Sequence, residues 1–315
     1  MSADTHLLLG DGVIGRATAD ALAARDLPWV MASRKQAAAG HPHQRRVDAL
    51  DANSLLRATE DVSHLYVTIG LPYSTAVWAR DWPIVIENVI GAARQNGCRI
   101  VMFDNIYAYG PAPLQVPMLE THPQQPPSTK GRVRKAVDDR LLKASREEGV
   151  QVVIGRSADF YGPLVRGSSI YNGAMERQLA GKAAQWMGNP DLRHSFTFTL
   201  DAGRALVELA LDEGAYGEVW HLPTAEPALT IRAFLELSGR LAGAPQTVSV
   251  LPKWQVRLLG LFVPVLREIQ EMVYQNESDY VFSSAKFNAR YPSFRTTPYE
   301  EGLALTIAEE RKAAG

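Results

Sequence analysis

Short apolar runs alternate with longer stretches of helical repeat along the first half of the chain. Leu7-Leu8-Leu9, Pro28-Trp29-Val30-Met31-Ala32, Arg46-Val47-Asp48-Ala49-Leu50, His64-Leu65-Tyr66-Val67-Thr68-Ile69-Gly70 and Arg99-Ile100-Val101-Met102-Phe103 are too short for helices and read as strands. Between them lie an alanine-rich stretch opening at Arg16-Ala17-Thr18-Ala19 and a helical stretch covering about residues 83–96. Strand and helix in alternation predict an α/β fold, a doubly wound parallel sheet covered by helices, because parallel strands need crossovers and the crossovers lie on the sheet faces. From about residue 164 the alternation loosens, with helices expected near residues 169–179 and 230–241. Residues 1–163 are therefore expected to form the main sheet domain. Residues 164–315 are expected to form mainly a smaller α/β subdomain, with some segments returning to the first.

The first strand runs directly into Gly10-Asp11-Gly12-Val13-Ile14-Gly15, a Gly-x-Gly-x-x-Gly turn, and then into a helix. In that context the first glycine permits the tight turn, and the second lets the backbone approach a pyrophosphate. The third lets helix and strand pack closely, with the phosphates at the helix N-terminus. The expectation is a Rossmann-like dinucleotide site. The second strand ends in Ser33-Arg34-Lys35, where this fold presents a side chain to the adenosine ribose. An acid there accepts from both ribose hydroxyls, whereas an arginine between a serine and a lysine suits a 2′-phosphate, so NADP is expected in preference to NAD. Asp48 is placed to accept from an adenine amino group or to cap the next helix. Thr68-Ile69-Gly70 are expected under the nicotinamide ribose.

A net charge of -1 offers no basic excess for phosphate backbones, which argues against nucleic acid as a partner. The single cysteine, Cys98, excludes an internal disulfide framework and suits a reducing, cytoplasmic compartment; its apolar neighbours mark a core thiol. Met1 to His6 carries no secretory pattern. The apolar stretch Leu258 to Leu266 is too short to span a bilayer and reads as a buried or pocket-lining helix, so no membrane association is expected. His41 and His43 lack a clustered third ligand, and His194 and His221 stand alone, so no metal is expected. The proline- and glutamine-rich stretch from Pro111 to Thr129 reads as a long loop.

Several segments together resemble the extended short-chain dehydrogenases/reductases, the NAD-dependent epimerase/dehydratase family. They are the glycine turn, Asp104-Asn105-Ile106-Tyr107-Ala108-Tyr109-Gly110-Pro111, Gly155-Arg156-Ser157-Ala158-Asp159-Phe160-Tyr161-Gly162-Pro163, Arg193-His194-Ser195-Phe196-Thr197-Phe198-Thr199-Leu200-Asp201, and Thr296-Thr297-Pro298-Tyr299-Glu300-Glu301-Gly302-Leu303. The resemblance implies cofactor contacts from Gly10, Gly12, Val13, Ile14, Gly15, Ser33, Arg34, Lys35, Asp48, Ala49, Thr68, Ile69, Gly70, Lys135, Ser157 and Asp159. It implies substrate contacts from Tyr73, Tyr161 and His194, a substrate subdomain beside the cofactor cleft, and a homodimer formed through helices near residues 83–96 and 133–146.

The catalytic positions depart from the family pattern of a serine or threonine after the fifth strand, then a tyrosine and, four residues later, a lysine. Matching Tyr109-Gly110 to the family puts Asn105 at the serine position. Matching Asp139-Arg140-Leu141-Leu142 puts Lys135 at the lysine position and Gly131, which carries no proton, at the tyrosine position. Asn105, Tyr107 and Lys135 are then the expected catalytic set, with Tyr73, Tyr161 and Lys130 as other sources of the missing acid. The family's nucleotide-sugar enzymes hold a pyrophosphate with an arginine where this chain has the acidic stretch Glu271 to Tyr280. The reading favoured is an NADP-dependent oxidoreductase acting on a non-nucleotide carbonyl or alcohol. The alternatives are a nucleotide-sugar epimerase or dehydratase, and an NADP-binding redox sensor without turnover.

Overall fold

The computed structural model describes residues 5–35, 43–168, 170–251 and 268–314. The apolar stretch Leu258 to Leu266, His41, and Ser169 at the start of an expected helix lie outside the described residues. The chain divides into two compact units. One comprises Met1–Ala108, Lys130–Ser157 and Leu200–Leu222, the other Tyr109–Thr129, Ala158–Thr199 and Pro223–Gly315.

The first unit contains β1 (His6–Leu9), α1 (Val13–Ala23), β2 (Trp29–Ser33), β3 (Gln44–Arg46), α2 (Ala52–Ala58), β4 (His64–Val67), α3 (Thr75–Asn96), β5 (Arg99–Asn105), α4 (Thr129–Glu147, from Lys130) and β6 (Val152–Ser157). A seventh strand, Val219–His221, completes a sheet ordered seventh-β6-β5-β4-β1-β2-β3, every pairing parallel. The order in which strands are added reverses between β1 and β4, which is the doubly wound arrangement, and ligands of such sheets bind outside the carboxyl ends of the strands there. β1 and β4 are buried along their whole length, as strands covered on both faces must be.

Two elements differ from expectation. α3 begins at Thr75, so Pro83 lies inside it. An interior proline costs about 3 kcal/mol. Burial of Trp78, Trp82, Ile86 and Val89 along one face, at about 1.5–3 kcal/mol for each large apolar side chain, outweighs that cost. β3 ends at Arg46 because the Asp48 carboxylate accepts from Leu50 N at 3.0 Å and bends the chain. The cap of α2 is Asp51, accepting from Asn53 N at 2.9 Å, so Asp48 does not fill that role.

The second unit is built from two-stranded ladders. Asp159–Tyr161 runs parallel to Phe196–Phe198, Ala184–Met187 parallel to Val248–Leu251, and Arg193–His194 antiparallel to Leu229–Thr230. Helix Ile231–Ala242, close to where it was expected, is capped by Thr230 Oγ1 accepting from Ala233 N at 3.1 Å, and ends at Gly243 in left-handed conformation. Tyr161, Phe196, Phe198, Phe234 and Tyr299 form its aromatic core.

Candidate active site

The turn between β1 and α1 is built on absent side chains. Gly10 has φ +128°, and a Cβ there would lie 2.8 Å from Ile69 N, just past β4. A Cβ on Gly15 would lie 2.0 Å from the carbonyl oxygen of Gly10, so only glycine lets the helix meet the strand. Thr68 Oγ1 donates to Leu9 O at 3.2 Å, tying the end of β4 to this turn. Gly12 is different: a Cβ there would meet nothing within 4 Å, leaving open space over the first turn of α1. Gly12 also precedes that helix without a side-chain cap, so its first N–H groups are not taken up by a capping side chain. This is the cradle a pyrophosphate requires, and Gly10, Gly12, Val13, Ile14 and Gly15 are the residues that would hold it.

Ser33, Arg34 and Lys35 follow at the carboxyl end of β2, with Arg34 and Lys35 exposed. Lys35 Nζ is 3.4 Å from the Asp11 carboxylate, which sets the β2 end beside the glycine turn. Asp48 and Ala49 lie just beyond β3, and Ser157 ends β6.

The chain leaves β5 at Asn105 and returns to the sheet through α4 into β6, so the first turn of α4 lies at the same carboxyl edge. Asn105 Oδ1 accepts from Tyr107 N at 2.9 Å, which directs its amide nitrogen away from its own turn. Tyr107 is half-buried and stacks on Trp78, with ring centroids 6.1 Å apart. Helical spacing then decides which α4 residues join them. Lys130, Arg134, Asp138 and Leu141 recur on the buried stripe. Lys135 falls outside that stripe, with its ammonium paired to Asp139 and its side chain 37% exposed. The structure therefore does not bring Lys135 to Asn105 and Tyr107; it brings Lys130 and Arg134 to the inward face instead. Lys130 Nζ donates to Thr75 Oγ1 at 2.9 Å and stands 4.5 Å from the centroid of the Tyr73 ring, while Arg134 lies 4.4 Å over Trp82.

Arg134 is locked. Its Nε donates to Asp104 Oδ1 at 2.7 Å, Arg156 Nε donates to Asp104 Oδ2 at 3.1 Å, and Arg156 also pairs with Asp138. All four side chains are buried. Burial works against ionisation of Asp104, but the two guanidiniums outweigh it and hold the carboxyl below its ordinary range. Burial, reinforced by the Asp104 charge, pushes Asp138 well above that range. The sequence reading missed this cluster. The available signal was the spacing Lys130-x-x-x-Arg134-x-x-x-Asp138, in phase with the buried Leu141, counted from a helix that starts at Thr129.

The remaining expected residues lie in the second unit. His194 Nε2 is 3.0 Å from Asp159 Oδ2, and its ring stacks on Tyr280 at 4.1 Å. Tyr161 is buried within the aromatic core, where a Cβ on Gly302 would meet its hydroxyl at 2.4 Å. In the acidic stretch, Asp279 is taken up by Arg193, with Nε 2.9 Å from Oδ2. Cys98 is buried, and desolvation pushes its thiol up to about 11. Among the described residues no group of three or more histidine, cysteine or acidic side chains is placed to hold a metal ion, and no helix is long and apolar enough to cross a membrane.

No curated protein matches the chain in sequence. Solved structures do match in fold. An epimerase from Methanothermobacter thermautotrophicus superposes with a TM-score of 0.82 at 15% identity, covering 99% of this chain and 94% of that one. The UDP-glucose 4-epimerase of Thermotoga maritima, solved with UDP-glucose, gives 0.79 at 18% identity over 99% and 100%. The dTDP-glucose 4,6-dehydratase of Streptomyces venezuelae, in a double-mutant form with NAD bound, gives 0.78 at 20% over 98% and 97%. These likenesses concern the fold alone. The sequence itself matches the NAD dependent epimerase/dehydratase family over residues 7–222, most of its length, and with the glycine cradle at the strand-order reversal this establishes that the chain belongs to that family.

Proposed function

We propose that this protein is a nicotinamide-dinucleotide-dependent oxidoreductase, using NADP in preference to NAD, that reduces or oxidises a carbonyl or alcohol substrate carrying no nucleotide. The observation that carries the reading is the cradle: Gly10 and Gly15 admit no side chain, and the space over Gly12 is open above the first turn of α1. When bound, the cofactor supplies or accepts the hydride, and the protein supplies position and protons. Gly10 to Gly15 hold the pyrophosphate, Arg34 and Lys35 meet a 2′-phosphate, and Asn105 donates its amide to the substrate oxygen. Against a nucleotide-sugar pyrophosphate stands the acidic stretch Glu271 to Tyr280, whose Asp279 already occupies Arg193. The resemblance also supports a homodimer through α3 and α4; α3 leaves Ile84 43% exposed.

Calorimetry is expected to find NADPH bound more tightly than NADH. Arg34→Ala is expected to weaken NADPH by roughly ten- to a hundredfold, the worth of a charge-assisted hydrogen bond, with NADH little changed. Tighter binding of NADH to the unmodified protein would refute the preference. The nucleotide-sugar reading is favoured by the similar folds of a UDP-glucose 4-epimerase and a dTDP-glucose 4,6-dehydratase. Calorimetric binding of UDP-glucose would replace the first reading with that one. Dinucleotide binding without turnover of any carbonyl or nucleotide sugar would leave the sensor.

A further inference from the structure

We propose that the second unit holds a binding site of its own, for a small zwitterion with an apolar side chain, the chemistry of an apolar α-amino acid; the inference is independent of the oxidoreductase reading. A cavity of about 310 Å³ lies within that unit, at the lower end of the roughly 300–1,000 Å³ range of small-molecule sites. Every residue lining it belongs to the second unit.

Backbone geometry builds the first wall. Tyr171–Met175 forms a π-helical turn in which Glu176 N donates to Tyr171 O five residues back, and the helix then runs on as α through Glu176–Leu179. In a regular α-helix a residue five positions on points about 140° away. The wider turn sets Glu176 over Tyr171, and both line the cavity together with Leu179. Such turns are rare and recur at functional sites. The facing wall is the last part of helix Tyr299–Ala314, through Glu310, Arg311 and Ala314. Arg166 closes a third side, from a turn in which Leu164 holds φ +60°, a costly conformation for a residue other than glycine.

The charges in the lining name the ligand. Glu310 is buried, and protein donors already satisfy its carboxylate: Oε1 accepts from Leu164 N at 2.8 Å and Oε2 from Tyr171 Oη at 3.0 Å. Arg166 is surplus to it. Its Nη2 stands 3.5 Å from Glu310 Oε2, beyond the roughly 2.7–2.9 Å of a charge-assisted hydrogen bond, and its side chain is 61% exposed. Arg311 spends an N–H on the neutral carbonyl of Ala242, at 2.9 Å, and forms no ion pair among the described residues. Glu176 is exposed and forms none either. Two guanidiniums therefore have donors to give a carboxylate, Glu176 can accept from an ammonium, and Tyr171, Leu179 and Ala314 can cover an apolar side chain. A ligand with one charge answers only half of this lining. A zwitterion answers both halves and leaves its net charge unchanged.

The test titrates the full chain by calorimetry with L-leucine, with isocaproate, which lacks the ammonium, and with isoamylamine, which lacks the carboxylate. Leucine is expected to bind at one site per chain and each analogue at least about tenfold more weakly, the worth of one charge-assisted hydrogen bond. Arg166→Ala and Glu176→Gln alter exposed side chains, so the fold is expected to persist and leucine to weaken about tenfold or more in each. Glu176→Gln is expected to leave isocaproate unchanged within about threefold, because that compound has no ammonium to lose a partner.

Hydrogen–deuterium exchange on the unmodified protein needs no variant. Leucine is expected to slow exchange in residues 170–179 and 305–314 and to leave residues 10–15 of the glycine turn as they were. An analogue that binds as tightly as leucine, leucine binding that neither substitution weakens, protection confined to other segments, or no saturable binding of leucine would each overturn the inference.

Discussion

Two helices of the first unit are held to the same sheet by opposite means. α1 meets β1 through missing side chains: Gly15 lets its backbone approach to where a Cβ would be 2.0 Å from Gly10 O, and Gly203, on the helix Thr199–Leu211, lets that helix approach Ala17 just as closely, at 2.4 Å. α4 is held by charged side chains: Arg134 and Asp138 reach down to Asp104 on β5 and Arg156 on β6, wholly out of water. The first joint is a steric constraint that no solution condition alters. The second is an electrostatic balance in which each partner is costly without the others, so it responds to pH and to single substitutions. The steric joint shapes the glycine turn proposed to hold the phosphates, and the ionic joint fixes which face of α4 packs on the sheet.

The comparison is broken most severely at Asp104. Asp104→Asn leaves two buried guanidiniums without their shared anion and is expected to lower unfolding free energy by roughly 3–5 kcal/mol, measured by urea denaturation. A loss under about 1 kcal/mol would show that the cluster is not the anchor of α4. Gly15→Ala follows, at roughly 3 kcal/mol, because the neighbour, the Gly10 carbonyl, is backbone and must shift as a whole; stability equal to the unmodified protein would contradict the close approach.

Asp138→Asn sharpens the contrast. Asp104 has its folded pKa below the ordinary 3.8, so its stabilisation is complete above that pH and is lost as pH falls through the folded value. Asp138 has its folded pKa above 3.8, so its contribution is full below that pH and is lost as pH rises through the folded value. An amide mimics the protonated acid. Asp138→Asn is therefore expected to leave stability below about pH 4 within about 1 kcal/mol of the unmodified protein and to flatten the decline above it, so that the variant is the more stable at pH 7. Denaturation curves across a pH series would expose the opposite slope. The smallest effect belongs to Gly12→Ala, within about 0.5 kcal/mol of the unmodified stability because nothing lies near the added methyl. Calorimetry is nevertheless expected to show NADPH weakened about tenfold or more, since the methyl intrudes where the pyrophosphate approaches. Equal affinity would remove Gly12 from the cradle.

The main strands of the parallel sheet, the glycine turn and the position of the β2 basic residues were legible in the sequence because each is a local pattern: an apolar run, a glycine spacing, the residues just after a strand. Even so, α3 was read as starting at Pro83. Proline is a strong local stop signal, and only the burial of Trp78 and Trp82 against the rest of the unit overrides it. The face of α4 was harder still. A helix turns 100° per residue, so a boundary displaced by one residue exchanges Lys130 and Arg134 for Gly131 and Lys135, and boundaries are the least determined feature of a sequence pattern.

What the sequence determined by itself was the doubly wound sheet and the cradle at its edge, since backbone sterics and apolar periodicity act over a few neighbouring residues. Tertiary structure alone decided that Asp104, Arg134, Asp138 and Arg156 meet, that Asp138 is pushed above and Asp104 held below the ordinary carboxyl range, and that Lys130 faces Thr75 and Tyr73. These outcomes depend on which side chains burial strips of water and which charges then lie within reach. Distance in space sets that, and residues 52 apart in the chain, such as Asp104 and Arg156, carry no local mark of it.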